Sequence, residues 1–175
     1  AQPMDKIDAR KIEDVLKSSP FVNDAQCYKT QMGHVCIQLT QRTPVMRVKA
    51  ENGDDYYVDN HGGVMPNSKY CSEIMIATGK VSRQYACKVL TKLGNTIVKD
   101  KFWRNQIVQV NVLADGTVEL VPRVGEHIIY IGYPNRLTEK LARLEKFYRY
   151  RRTEAGWKKN TIINVANENQ VIYKK

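Results

Sequence analysis

The segment QVNVLADGTVELVPRVGEHIIYIGYPNRLTEKLARLEKFY, Gln109 to Tyr148, decides the fold. Val110 to Leu113 ends at Asp115-Gly116, a hairpin signal because both residues tolerate positive φ. Thr117 to Val121 alternates with one buried face, and after Pro122-Arg-Val-Gly125 the run His127 to Ile131 supplies a third strand, giving an antiparallel meander. From Asn135, an N-cap candidate behind Pro134, apolar residues fall at Leu137, Leu141, Leu144, Phe147 and Tyr148, the spacing of one helical stripe. That stripe needs a sheet beneath it. Arg136, Lys140, Arg143, Glu145, Lys146 and Arg149 occupy the other, solvent-facing side, with Glu139 to Arg143 and Glu145 to Arg149 as i,i+4 pairs.

Before this segment, Asp8 caps a short helix whose stripe is Ile12, Val15 and Leu16, and Ser19-Pro20 stops it. Strand-like runs follow at 21–28 and 35–40, the second with Val35, Ile37 and Leu39 inward. Arg42-Thr-Pro44 marks a break, so the pattern predicts two domains, 1–43 and 44–175. In the second, strands at 45–50 and 56–59 join through Asn52-Gly53, a short apolar strand covers 74–77, and Ser82 caps a helix through Leu93 with Tyr85, Val89 and Leu93 on one side. Phe102-Trp103 anchors another helical turn. Gly156-Trp157 turns the chain back, and a hairpin of 161–165 and 170–173 around Asn167-Glu-Asn169 ends it. The fold class expected is α+β, with an antiparallel-sheet β domain and packed helices.

With 42% hydrophobic and 26% charged residues, the 175-residue chain can bury a core. No apolar run approaches the ~18 residues that cross a bilayer, and the start lacks a signal-peptide pattern. The net charge of +10 attracts nucleic acid, anionic lipid or an acidic partner, and basic residues crowd the C-terminal third; a solvated face is the plainer account of such a run. Four cysteines form no metal pattern, so no metal site is expected. Cys27 and Cys36 flank Thr30-Gln-Met-Gly33 nearly symmetrically, so a hairpin there makes a cross-strand disulfide feasible in an oxidising compartment; Cys71 and Cys87 read as buried thiols.

No catalytic residues emerge, because His34, His61 and His127 have no nucleophile placed near them by any motif. Gly79-Lys-Val-Ser82 lacks the glycine and Lys-Ser/Thr pair of a phosphate loop, and the acids at Asp54 and Asp59 lack a calcium loop's spacing. An enzyme, a cofactor and a small-molecule substrate are not expected. Nucleic-acid binding, with Tyr130, Tyr133, Tyr148, Tyr150 and Tyr173 as stacking rings beside basic residues, stands as the alternative, though Tyr148 reads as core. A third class takes a partner chain at a sheet edge, and Gln170-Val-Ile-Tyr173 fits a terminal strand; Lys174 and Lys175 would equally guard such a strand against aggregation.

Gln41-Arg-Thr-Pro-Val45, Tyr56-Tyr-Val-Asp59 with Gly63-Val-Met-Pro66, Phe102-Trp103, Glu119 to Gly125, the helix 139–148 and Gly156-Trp157 together resemble the FtsQ/DivIB cell-division family, in its Bacteroidetes-type branch. The resemblance implies a cytoplasmic tail and one transmembrane helix upstream, then a POTRA domain, here a partial α-β-β unit, then the β domain. It implies a non-enzymatic divisome scaffold on the periplasmic side of the inner membrane at the septum, joined to that membrane through the absent N-terminal helix. Its partners would be FtsB-like and FtsL-like proteins, with no nucleic acid, and its role the regulation of septal peptidoglycan synthesis. The family's FtsB contact matches Val165, Gln170, Val171, Ile172 and Tyr173 here. Arg149, Arg151 and Arg152 are added from their charge alone, as groups that would steer an acidic partner segment.

Overall fold

The computed structural model describes residues 6–68, 74–151, 162–168 and 170–174. The chain forms two compact units, Ala1–Thr43 and Pro44–Lys175.

The first unit holds α1 (Ala9–Lys17), β1 (Val22–Lys29) and β2 (Val35–Gln41). Asp8 caps α1 by accepting from the Lys11 N–H, as its side-chain chemistry predicts. Val15, expected on the buried stripe, is exposed instead. Ala25 and Cys27 of β1 are buried, whereas Ile37 and Leu39, their cross-strand partners on β2, are 52% and 40% exposed. Cys27 and Cys36 carry free thiols in place of the cross-strand bridge that a hairpin there made feasible. The loop Gln31-Met32-Gly33 has three residues, so Cys27 pairs with Ile37 and Cys36 with Tyr28. Neighbouring residues on a strand point to opposite faces, which separates the two sulfurs.

That loop geometry recurs. Gly33, Gly53, Gly62 and Gly116 each close a three-residue hairpin loop, with φ of 79°, 89°, 86° and 81°. The Asn52-Gly53 and Asp115-Gly116 turns are therefore three-residue loops with a left-handed glycine at the end, rather than two-residue turns.

The second unit is a nine-stranded sheet in the order β11-β10-β9-β8-β7-β6-β3-β4-β5. Its strands are β3 (Pro44–Ala50), β4 (Asp55–Asp59), β5 (Val64–Pro66), β6 (Ile76–Gly79), β7 (Ile107–Val112), β8 (Val118–Pro122), β9 (Ile128–Gly132), β10 (Ile162–Asn164) and β11 (Ile172–Lys174). The α+β class holds, but the sheet is mixed: β3–β6, β6–β7 and β9–β10 are parallel. Each of these pairs joins strands separated by a helical connection or a long excursion, which two-residue patterning does not reveal.

Val48, Val58, Ala77, Val110, Leu120, Ile129 and Ile163 all lie fully buried in one core. The connection from β6 to β7 runs as α2 (Arg83–Tyr85), a π-helical turn (Ala86–Leu90), α3 (Thr91–Lys99) and α4 (Lys101–Gln106). Ser82 caps it as expected, but the π turn shifts the buried stripe to Ala86, Leu90, Leu93 and Ile97, leaving Tyr85 and Val89 only partly covered. The Thr91 hydroxyl donates to the Ala86 carbonyl five residues earlier, the same oxygen that accepts the Thr91 N–H in the wide turn. Gly62 fits against that turn: a Cβ there would meet the Cys87 carbonyl oxygen at 2.6 Å. Asp100 caps α4 through Phe102 and Trp103, and the Trp103 ring packs edge-on against Phe102 (4.8 Å) and Tyr148 (5.5 Å). Tyr148 thereby joins α5 (Leu137–Arg151) to the core, in accord with its place on the stripe.

Candidate protein interface at the C-terminal sheet edge

The meander β7–β8–β9 builds the platform. Leu137, Leu141 and Leu144 of α5 are buried in the same core as Ile129 and Ile131 of β9, as their helical and period-two spacings require. β10 then adds beside β9 in parallel, with Ile162, Ile163 and Asn164 opposite Ile128, Ile129 and Tyr130. β11 returns antiparallel, setting Lys174, Tyr173 and Ile172 opposite those same three β10 residues. Among the described residues β11 pairs with β10 alone, and no described strand lies on its other side.

Three side chains, Arg136 just before α5 and Lys140 and Arg143 within it, brace the end of β9 and the β10–β11 connection, the two in α5 contrary to expectation. Lys140 is 6% exposed rather than on the charged outer face: its ammonium donates to the Ile131 and Tyr133 carbonyls and to Asn135 Oδ1. Burial, then the neighbouring Arg143 and Arg136 charges, lower its pKa below the usual lysine value. Asn135 serves as that acceptor instead of as the N-cap, because the first turn closes on the Arg136 carbonyl. Arg143 does not pair with Glu139. It donates to the carbonyls of Val165 (3.2 Å) and Asn167 (3.1 Å), the entry to the β10–β11 connection. Arg136, at φ 50°, binds Glu139 at 2.8 Å and Glu168 in that same connection. The hydrogen bond to Glu139, then the charges of both acids, hold the Arg136 pKa above its usual value.

Behind the platform, His127 is 2% exposed and its Nε2 meets the Tyr148 hydroxyl. Burial lowers the His127 pKa and raises that of Tyr148, so both are neutral at physiological pH.

The expected contact residues divide by role. Ile172 is 42% exposed on β11, Gln170 is exposed ahead of it, Val171 packs partly on the core, and Tyr173 stands opposite Ile163. Val165 is fully buried and its N–H bonds the Tyr130 carbonyl, so its side chain lies in the core rather than on an exposed face. Arg149 is exposed and bound to Glu145 at 2.6 Å, the expected i,i+4 pair. Arg151 ends α5, whereas Arg152, Cys71 and Gly156-Trp157 lie outside the described residues. Strand patterning did not single out Ile128 and Ile162, an in-register pair 37% and 44% exposed beside Ile172. The signal was present: two adjacent isoleucines in each strand oblige one of them to face outward.

No metal-holding group of acids, histidines and cysteines occurs among the described residues, and no described helix is long and apolar enough to cross a membrane. A family model described as FtsQ/DivIB, C-terminal related matches residues 43–173, and a POTRA-like domain model matches residues 1–40. No curated protein matches the chain.

Proposed function

Because the chain belongs to the FtsQ/DivIB, C-terminal related family, whose members are cell-division scaffolds, we propose that it is the periplasmic part of a membrane-anchored divisome protein with no reaction of its own. It takes FtsB-like and FtsL-like partners at the septum by strand addition along β11, and through them helps regulate septal peptidoglycan synthesis. The observation that carries this reading is β11 itself, a terminal strand paired on one side, with Ile172 exposed and its connection held by Arg143 and Arg136. A preformed edge accepts a strand with little further ordering, so the main-chain bonds supply affinity. Gln170, Val171, Ile172 and Tyr173 supply the contact, Val165 holds it from beneath, and the charge of the +10 chain, Arg149, Arg151 and Arg152 included, steers an acidic segment toward it.

The test is titration of the protein with a peptide from the periplasmic C-terminal part of the co-encoded FtsB-like protein, beside the Ile172→Pro variant, whose missing N–H spoils the ladder. Saturable binding by the parent and its loss in a folded variant support the reading. Absence of binding by either, with salt-sensitive binding to RNA or DNA, would replace the scaffold by a basic nucleic-acid-binding module.

A further inference from the structure

A cleft of about 450 Å³ opens in the second unit, built from elements other than β10 and β11; sites for small ligands span roughly 300–1,000 Å³. Ile76 and Ile107, at the starts of the parallel strands β6 and β7, line it with Ile74 and with Ile97 of α3. Arg104 on α4 and Arg123 just after β8 line the same cleft, and both are exposed.

Every other second-unit arginine with a described side chain has a partner: Arg47 binds Asp55, Arg83 Asp54, Arg136 Glu139, Arg149 Glu145, and Arg143 two carbonyls. Among the described residues Arg104 and Arg123 have neither an ion pair nor a side-chain hydrogen bond. Among the described residues, the two guanidiniums of this unit without a partner thus line one and the same aliphatic cleft. Guanidinium groups favour carboxylates, and an aliphatic wall favours a branched or linear alkyl side chain, so the two demands together describe one ligand.

We infer that this cleft is a second docking site, taking a short extended segment of a partner polypeptide in which an acidic residue neighbours aliphatic ones. The aliphatic side chain displaces water from the isoleucine walls, and the carboxylate accepts hydrogen bonds from Arg104 and Arg123. A recess with cations beside it suits an inserted side chain. A lipid surface would call for apolar groups that protrude.

The experiment uses the full chain, labelled with ¹⁵N, and the probe acetyl-Leu-Glu-Leu-Glu-Leu-amide. Two control peptides replace the glutamates by glutamine or the leucines by serine. The expected result is saturable amide shifts at Ile76, Val98 and Ile107, with affinity about tenfold or more weaker for either control and for the Arg104→Gln/Arg123→Gln variant. Replacing the exposed Lys88 and Lys92 by glutamine, which removes equal charge elsewhere, leaves binding unchanged. Absence of saturable shifts at the cleft at millimolar peptide overturns the inference. So does equal binding by either control peptide, or by the double arginine variant, and so does equal loss on removing the two lysines, which would reduce the contact to net charge. None of these outcomes bears on β11, so this site and the strand-addition site fail or stand separately.

Discussion

At one end of the nine-stranded sheet stands β5, Val64–Pro66; at the other stands β11, Ile172–Lys174. Both are three residues long, and both keep an aliphatic side chain in solvent, Val64 at 37% and Ile172 at 42%. They differ in what their backbones offer. β5 ends in proline, which has no N–H to give, and its turn is locked by Asp59, which accepts from His61 and Gly63, and by Gly62 against the Cys87 carbonyl. β11 keeps every donor and is approached through a connection held by Arg143 of α5 and by Arg136 just before it. Length and exposed apolar surface therefore do not distinguish the two edges; the donor inventory does.

The largest expected effect breaks the symmetry directly. Ile172→Pro lowers affinity for the FtsB-like peptide by about 100-fold or more, ~2.7 kcal/mol or more, whereas Pro66→Ala at the opposite edge leaves it unchanged in the same calorimetric titration. A smaller but global loss follows Lys140→Met, which strands the Ile131 and Tyr133 carbonyls; urea unfolding should show about 2–3 kcal/mol less stability. Gly62→Ala is the matching insult beneath β5, costing about 1–3 kcal/mol through its left-handed φ and the close carbonyl. It should leave peptide affinity of the folded protein intact. Arg143→Met removes the two bonds at the β10–β11 connection at about 1–2 kcal/mol, and amide exchange should quicken in β10 and β11 more than in β4 and β5.

The smallest effect is a pH dependence of stability. The folded pKa of His127 lies below its unfolded value near 6.5, so the unfolded chain binds the proton more readily. Stability is fully kept above that unfolded value and declines as pH falls toward the folded one. His127→Gln should flatten this part of the profile between about pH 7 and pH 5.

Local signals carried much of this fold. The β7–β9 meander, the α5 stripe, the Asp8 and Ser82 caps and the closing hairpin all rest on contacts a few residues apart, which periodicity and cap chemistry report. What stayed hidden rests on distance or on a one-residue shift. The parallel neighbours β3, β6 and β7 meet only through the tertiary fold, and the π turn moves a stripe that a 3.6-residue period places on Tyr85 and Val89. A three-residue loop in place of a two-residue turn offset Cys27 from Cys36. The terminal strand was legible from Gln170 to Tyr173, but its supports were not. Lys140 and Arg143 read as solvent-facing cations, although Lys140 adjoins Leu141 and Arg143 adjoins Leu144 at the border of the buried stripe, near enough to reach carbonyls there.

The most direct test of strand addition is amide hydrogen exchange of the protein with and without the FtsB-like peptide, read residue by residue. The account predicts new protection at the β11 amides, Ile172 to Lys174, with β5 unchanged. Binding that leaves β11 exchange as it was, and protects another surface instead, would contradict it.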